Sequence, residues 1–210
     1  MSSPGSDDTR AGRRRAAAVA GHRGDVDGAR SALHDSDPTV RCIALGALER
    51  LGALRNDEIT AALGDERVDV RRRAAEVAAA HHDVDLVGAL HDDDPRVVEV
   101  AAWACGEHES NRDEVVIRLV DIARDADEPL VRESAVAALG AIGDPRGFDT
   151  IVDGTSDKPA VRRRAVLALA PFLGDDDLGR RAAAAIERAL EDRDWQVRQA
   201  AEDLRRITSS

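Results

Sequence analysis

The residues of this chain that could do chemistry lie in short clusters. Histidine stands beside aspartate at His34-Asp35, His81-His82-Asp83 and His91-Asp92, and stacked turns could bring such pairs together around a divalent metal. The same residues, with His22, also serve as solvated turn residues, because histidine is favourable at a helix C-terminus. As solvated turn residues they leave no metal and no cofactor expected. Asp92-Asp93-Asp94 and Asp175-Asp176-Asp177 carry the charge for calcium but lack the spaced ligands and glycine of a calcium loop; helix capping accounts for both. Cys42 and Cys105, 63 residues apart, have no zinc spacing and read as buried or half-buried thiols. There is no glycine-rich phosphate loop and no nucleophile elbow. No catalytic residue is assigned, and the chain is read as not an enzyme.

Those clusters are positioned by a repeat. Six segments align on a valine followed by an alanine-rich run, in five of them with arginine next: Asp37-Pro38-Thr39-Val40-Arg41, Arg67-Val68-Asp69-Val70-Arg71, Asp94-Pro95-Arg96-Val97-Val98, Glu128-Pro129-Leu130-Val131-Arg132, Lys158-Pro159-Ala160-Val161-Arg162 and Asp194-Trp195-Gln196-Val197-Arg198. The valines lie 30, 27, 34, 30 and 36 residues apart, the period of a helical-hairpin solenoid. Asp before Pro reads as an N-cap followed by proline at the first helical position. Apolar residues then recur at helical spacing, as in Val131, Ala135, Ala138, Leu139 and Ile142, and Gly143-Asp144-Pro145 stops the run. Shorter helices are expected between the valine helices, over 26–33, 59–63, 84–90, 115–122, 148–152 and 178–190. Arg13 to Ala20 aligns with Arg71 to Ala78 and opens the array as a half-unit.

These segments resemble the HEAT repeat, in particular the short-repeat branch found in phycobilisome lyase subunits, over about residues 13 to 208. The resemblance implies that the valine helix is the second of each pair and lines the concave face, and that the turn Asp and the Arg after Val pair between successive repeats. Val98 replaces that Arg in the third unit. Iron hydroxylases built from similar repeats place His-Glu pairs directly after Val-Arg. The corresponding pairs here are Cys42-Ile43, Arg72-Arg73, Glu99-Val100, Glu133-Ser134, Arg163-Arg164 and Gln199-Ala200, which cannot hold a di-iron centre.

The fold class expected is therefore all-α: a right-handed solenoid of about six hairpins with an N-terminal half-repeat. Residues 1–10 read as a disordered tail and 11–210 as a single domain. Aromatic content is 2%, so alanine and medium aliphatics must fill the core. No run is apolar enough to span a bilayer, and the chain is read as cytoplasmic and monomeric.

A net charge of −11 opposes bulk nucleic-acid binding. The triplets Arg13–Arg15, Arg71–Arg73 and Arg162–Arg164 could form basic spots on the concave face, but Glu99 and Glu133 lie between them and would interrupt a phosphate track. Positions three and six past the valine should face outward. They include Val100, Trp103 and Leu167, and Trp103 either sits on the binding face or packs under the adjacent repeat. Trp195 is expected to cover the end of the array. The function expected is a non-catalytic scaffold that docks another protein on a surface centred on Glu99, Val100, Trp103, Glu133 and Leu167 and flanked by Arg72, Arg73, Arg163 and Arg164. A bilin-handling enzyme subunit, which the lyase resemblance implies, and a nucleic-acid-binding repeat protein are the alternatives.

Overall fold

The computed structural model describes residues 4–110, 112–174 and 177–208. Asp175 and Asp176 of the second acidic run lie outside them. Among the described residues the chain forms twelve α-helices, four short 3-10 helices and no strand. It divides into two compact units, one ending at Ala89 and the other beginning at Leu90.

The first unit contains α1 (Pro4–Arg23), α2 (Val26–Ser31), α3 (Pro38–Arg50), α4 (Asn56–Leu63) and α5 (Val68–Ala78). Helix α1 begins within the ten residues read from the sequence as a tail. Helices α2 and α3 form one hairpin and α4 and α5 the next, while α1, α3 and α5 stack side by side. Their inner faces carry the expected stripe: Val40, Ala44, Leu48, Val70, Ala74 and Ala78 are all buried.

The second unit repeats the plan. Helices α7 (Asp113–Asp125) and α8 (Pro129–Ile142), α9 (Phe148–Gly154) and α10 (Pro159–Ala168), and α11 (Leu178–Ala189) and α12 (Trp195–Thr208) form hairpins. The valine helices α6 (Pro95–Glu107), α8, α10 and α12 pack in sequence. They approach closely because small residues meet: a Cβ on Gly106 would lie 3.0 Å from Ala138 Cα, and one on Gly140 would lie 2.5 Å from Ala168 Cβ. The pair repeats at the same register, glycine nine residues past one valine against alanine seven past the next. In the first unit Gly21 meets Ala47 in the same way, at 2.7 Å. With so few aromatics, close backbone approach replaces bulky side chains as the way to exclude water.

The caps follow the sequence. Asp37 accepts from the Thr39 amide at 2.9 Å and Asp94 from the Arg96 amide at 2.9 Å, each with proline at the helix start. Gly143 ends α8 at φ 66°, the left-handed conformation that glycine adopts without strain.

One expected helix is missing. Residues 84–90 form turns that run into a single 3-10 turn, Ala89–His91. Asp85 captures the Val87 amide with its own carboxylate at 3.0 Å, and Gly88 follows; both features favour a turn over helix continuation. Val84, Leu86 and Leu90 are nonetheless buried, so the apolar pattern predicted burial correctly and conformation wrongly.

Candidate functional site

Within each unit the turns are tied by arginine. Arg41 forks onto Asp65 at 2.8 and 2.7 Å, Arg132 onto Asp157 at 2.7 and 2.7 Å, and Arg162 onto Asp192 at 2.9 and 2.8 Å. Arg13 makes the corresponding contact to Asp35 from the opening half-unit. Each of the three valine-helix arginines also donates to a carbonyl of its own turn: Arg41 to Asp35, Arg132 to Ala126 and Arg162 to Asp157. Each rung thus satisfies a planar fork, a carboxylate and a turn carbonyl together. The arginine hydrogen bonds hold the Asp157 and Asp192 carboxyls below the usual carboxylate range against the opposing effect of burial. At Asp65 burial is the largest single influence and acts upward, but the bonds from Arg41 and the Arg67 amide together outweigh it.

The exception at Val98 is compensated. Ala126, whose carbonyl receives Arg132, occupies the place that aspartate holds in the other turns. Val98 and Ala126 therefore replace both members of a rung, and both line a cavity of about 420 Å³ whose rim carries Asp93, Asp121 and Asp125. Replacing both partners of an enclosed pair by apolar groups is close to neutral, whereas removing one is costly.

His81 bridges three segments of the first unit, with Nε2 2.7 Å from Glu49 Oε2 and Nδ1 3.2 Å from Asn56 Oδ1. Cys105 is buried, and burial pushes the half-buried Cys42 thiol up. No group of three or more histidine, cysteine or acidic side chains among the described residues could hold a metal ion. No helix among them is long and apolar enough to cross a membrane.

The surface that stands out is on α6. Between Val97 and Glu107 every residue is buried except Glu99, Trp103 and Glu107, which are spaced by four and so share one stripe. Trp103 is 42% exposed. The stripe faces a second one on α8, formed by Glu133, Ala137 and Ala141, across a groove of about 440 Å³ that also takes in Leu130 and Arg164. Leu130 is 59% exposed, so two large apolar side chains border the same depression. An adjoining recess of about 240 Å³ extends it along Arg164, Leu167 and Pro171. Charges in the groove are loosely tied: Ser134 Oγ lies 3.4 Å from Glu99 Oε1, and Arg164 Nη2 lies 3.7 Å from Glu133 Oε1. Glu107 sits at the C-terminal end of α6, where the helix dipole disfavours a carboxylate.

Of the sequence candidates, Glu99, Trp103, Glu133, Arg164 and Leu167 thus come together along this groove. Val100 does not; it is buried at 6% exposure. Packing of α6 against α8 leaves one stripe of the helix outside its buried arc, and Val100 falls inside that arc. Arg163 is exposed on α10 outside the groove lining. Arg72 and Arg73 belong to α5 in the first unit, where Arg73 pairs with Glu76 at 2.9 Å and its guanidinium covers Gly46. Glu107 and Leu130 were missed; the four-residue spacing from Trp103 was a legible signal for Glu107. Trp195, expected to cover the end of the array, is 65% exposed at the start of α12.

Helical hairpins whose valine helices stack and whose turns are joined by Arg–Asp rungs define an α-solenoid repeat protein. The profile of HEAT repeats matches residues 56–140, 84–170 and 118–205, together well over half of the chain, which therefore belongs to the HEAT-repeat family. No curated protein matches it. Among solved structures it is similar to a designed armadillo repeat protein in complex with the peptide (KR)4, at 18% identity and a TM-score of 0.63, covering 84% of this chain and 96% of that one. Two engineered proteins from the Northeast Structural Genomics Consortium are also similar. One has 20% identity, a TM-score of 0.66 and coverage of 89% of this chain and 99% of that one. The other has 19% identity, a TM-score of 0.60 and coverage of 89% and 58%. At these identities the likeness is one of fold.

Proposed function

We propose that this HEAT-repeat chain is a non-catalytic docking platform that holds a segment of another protein in the groove between α6, α8 and α10. The observation that carries the reading is the escape of one stripe, Glu99-Trp103-Glu107, from a helix otherwise buried from Val97 onward, opposite an exposed Leu130. Exposed tryptophan is costly to hydrate and is enriched at the centres of binding surfaces. A groove bordered by side chains of both signs suits a segment selected by charge. The designed armadillo repeat protein of similar fold carries a bound peptide, which accords with a role of this kind.

The test is capture from native lysate by wild type and Trp103→Ala in parallel. The platform reading expects a protein retained by wild type and lost with Trp103→Ala, while helicity and cooperative melting persist. Equal capture by both, or collapse of the variant's fold, would overturn it. Visible absorbance of the same eluate tests the tetrapyrrole-handling role implied by the phycobilisome-lyase branch.

A further inference from the structure

The docking groove has a chemistry that narrows its occupant, provided that the groove is the docking platform proposed for it. Trp103 stands between Glu99 and Glu107 on α6, four residues from each, which places the carboxylates one helical turn above and below the indole, at roughly 6 Å between neighbouring Cβ atoms. Glu133 faces the same depression from α8. Three carboxylates therefore line the same depression as one exposed aromatic side chain.

The groove holds a single arginine in return. Arg164 reaches Glu133 only at 3.7 Å, and among the described residues the one side-chain hydrogen bond to Glu99 is the 3.4 Å approach of Ser134. Glu107 lies in the last turn of α6, the least favourable place on a helix for negative charge, and it is exposed. A carboxylate there lowers the stability of the free helix and becomes favourable once a cation approaches.

We infer that the occupant of this groove is a basic protein segment, with an arginine or lysine side chain lying over the Trp103 indole between Glu99 and Glu107 and an adjacent apolar side chain resting against Leu130. This assignment rests on the platform reading. A cation above an indole gains from the ring's negative face, and more so when partly desolvated. The flanking carboxylates add charge-assisted hydrogen bonds of the kind that Arg132 and Arg162 already make inside this protein. The overall charge of −11 attracts such segments from a distance. An acidic segment would meet three carboxylates, and an uncharged one would leave them to be desolvated without a partner.

The chain has two tryptophans and no tyrosine, so Trp195→Phe leaves Trp103 as the sole strong emitter. This variant is titrated with three blocked peptides of equal length that alternate leucine with arginine, glutamine or glutamate. Only the arginine peptide is expected to shift Trp103 emission. Its affinity should fall about tenfold or more in Glu99→Gln/Glu107→Gln, yet stay near the original in Glu187→Gln/Glu191→Gln, which removes the same charge from the exposed surface of the last repeat. Far-UV circular dichroism and melting check that each variant is folded. If the glutamine or glutamate peptide shifts Trp103 as strongly, the cation assignment is overturned and the platform reading stands. Equal weakening by the two charge variants would also overturn the assignment, because binding would then track bulk charge. No shift with any peptide overturns it as well, and joined to equal lysate capture by wild type and Trp103→Ala it removes the platform reading too.

Discussion

Replacing Arg162 alone with valine should cost more than replacing Arg162 and Asp192 together. Arg162 makes three charge-assisted hydrogen bonds: to Asp192 Oδ2 at 2.9 Å, to Asp192 Oδ1 at 2.8 Å and to the Asp157 carbonyl at 2.9 Å. The side chains are only 6% and 15% exposed. Removing one member of an enclosed pair costs about 3–5 kcal/mol. Asp192 retains some water and the Asp194 amide at 2.8 Å, so Arg162→Val is expected at or just below the low end, about 2–3 kcal/mol. Arg162→Val with Asp192→Ala reproduces the Val98–Ala126 rung that the chain already contains. It loses the Asp194 contact, worth about 1 kcal/mol, and leaves no unpaired charge. The double variant is thus expected to recover about 1–2 kcal/mol relative to Arg162→Val alone. Urea unfolding followed by circular dichroism at 222 nm measures all four members of the cycle. If the two single costs simply add, the view that the rung acts as a paired unit is refuted.

Other outcomes depend on the same packing. Gly140→Ala should lower the melting temperature, because the new Cβ would lie 2.7 Å from the Ala168 Cα and overpacking of about 1–3 kcal/mol outweighs a propensity gain of about 1 kcal/mol; Gly12→Ala, with nothing within 4 Å, should raise it. Stability should be full near neutral pH and fall on acidification: Asp157 and Asp192 have folded-state pKa values below their unfolded ones, so their contribution is present above the ordinary aspartate value of about 3.9 and is lost as pH drops through the folded values. Acid titration of the melting temperature should show that loss shrink in the Arg162→Val/Asp192→Ala variant. Cys42 and Cys105 should react slowly with a thiol reagent at neutral pH in the native chain and rapidly in urea, because one thiol is pushed up by burial and the other is enclosed.

The fold was legible wherever local chemistry decides it. Asp37-Pro38 and Asp94-Pro95 predict helix starts, Gly143 predicts a stop, and the valine register predicts which faces are buried, because caps and periodicity act over a few residues. Residues 84–90 show the limit: their apolar spacing suits a helix, but the Asp85 carboxylate takes a nearby backbone amide and the burial is met by turns. The groove was partly legible. Trp103, Glu99, Glu133, Arg164 and Leu167 could be placed on one surface by register alone. Val100 could not, because the width of a buried arc depends on how many neighbours flank the helix. The exchange of Asp for Ala126 opposite Val98 was equally hidden, since a rung joins residues from successive repeats whose turn lengths differ.

A partner protein seated on the stripe around Trp103 would shield the indole from solvent. Oxidative footprinting of the captured complex against the chain alone tests it directly, with Trp195 as an internal reference because it is 65% exposed. Trp103 is expected to be protected in the complex while Trp195 oxidises at an unchanged rate. Oxidation of Trp103 at the same rate with and without partner would contradict it.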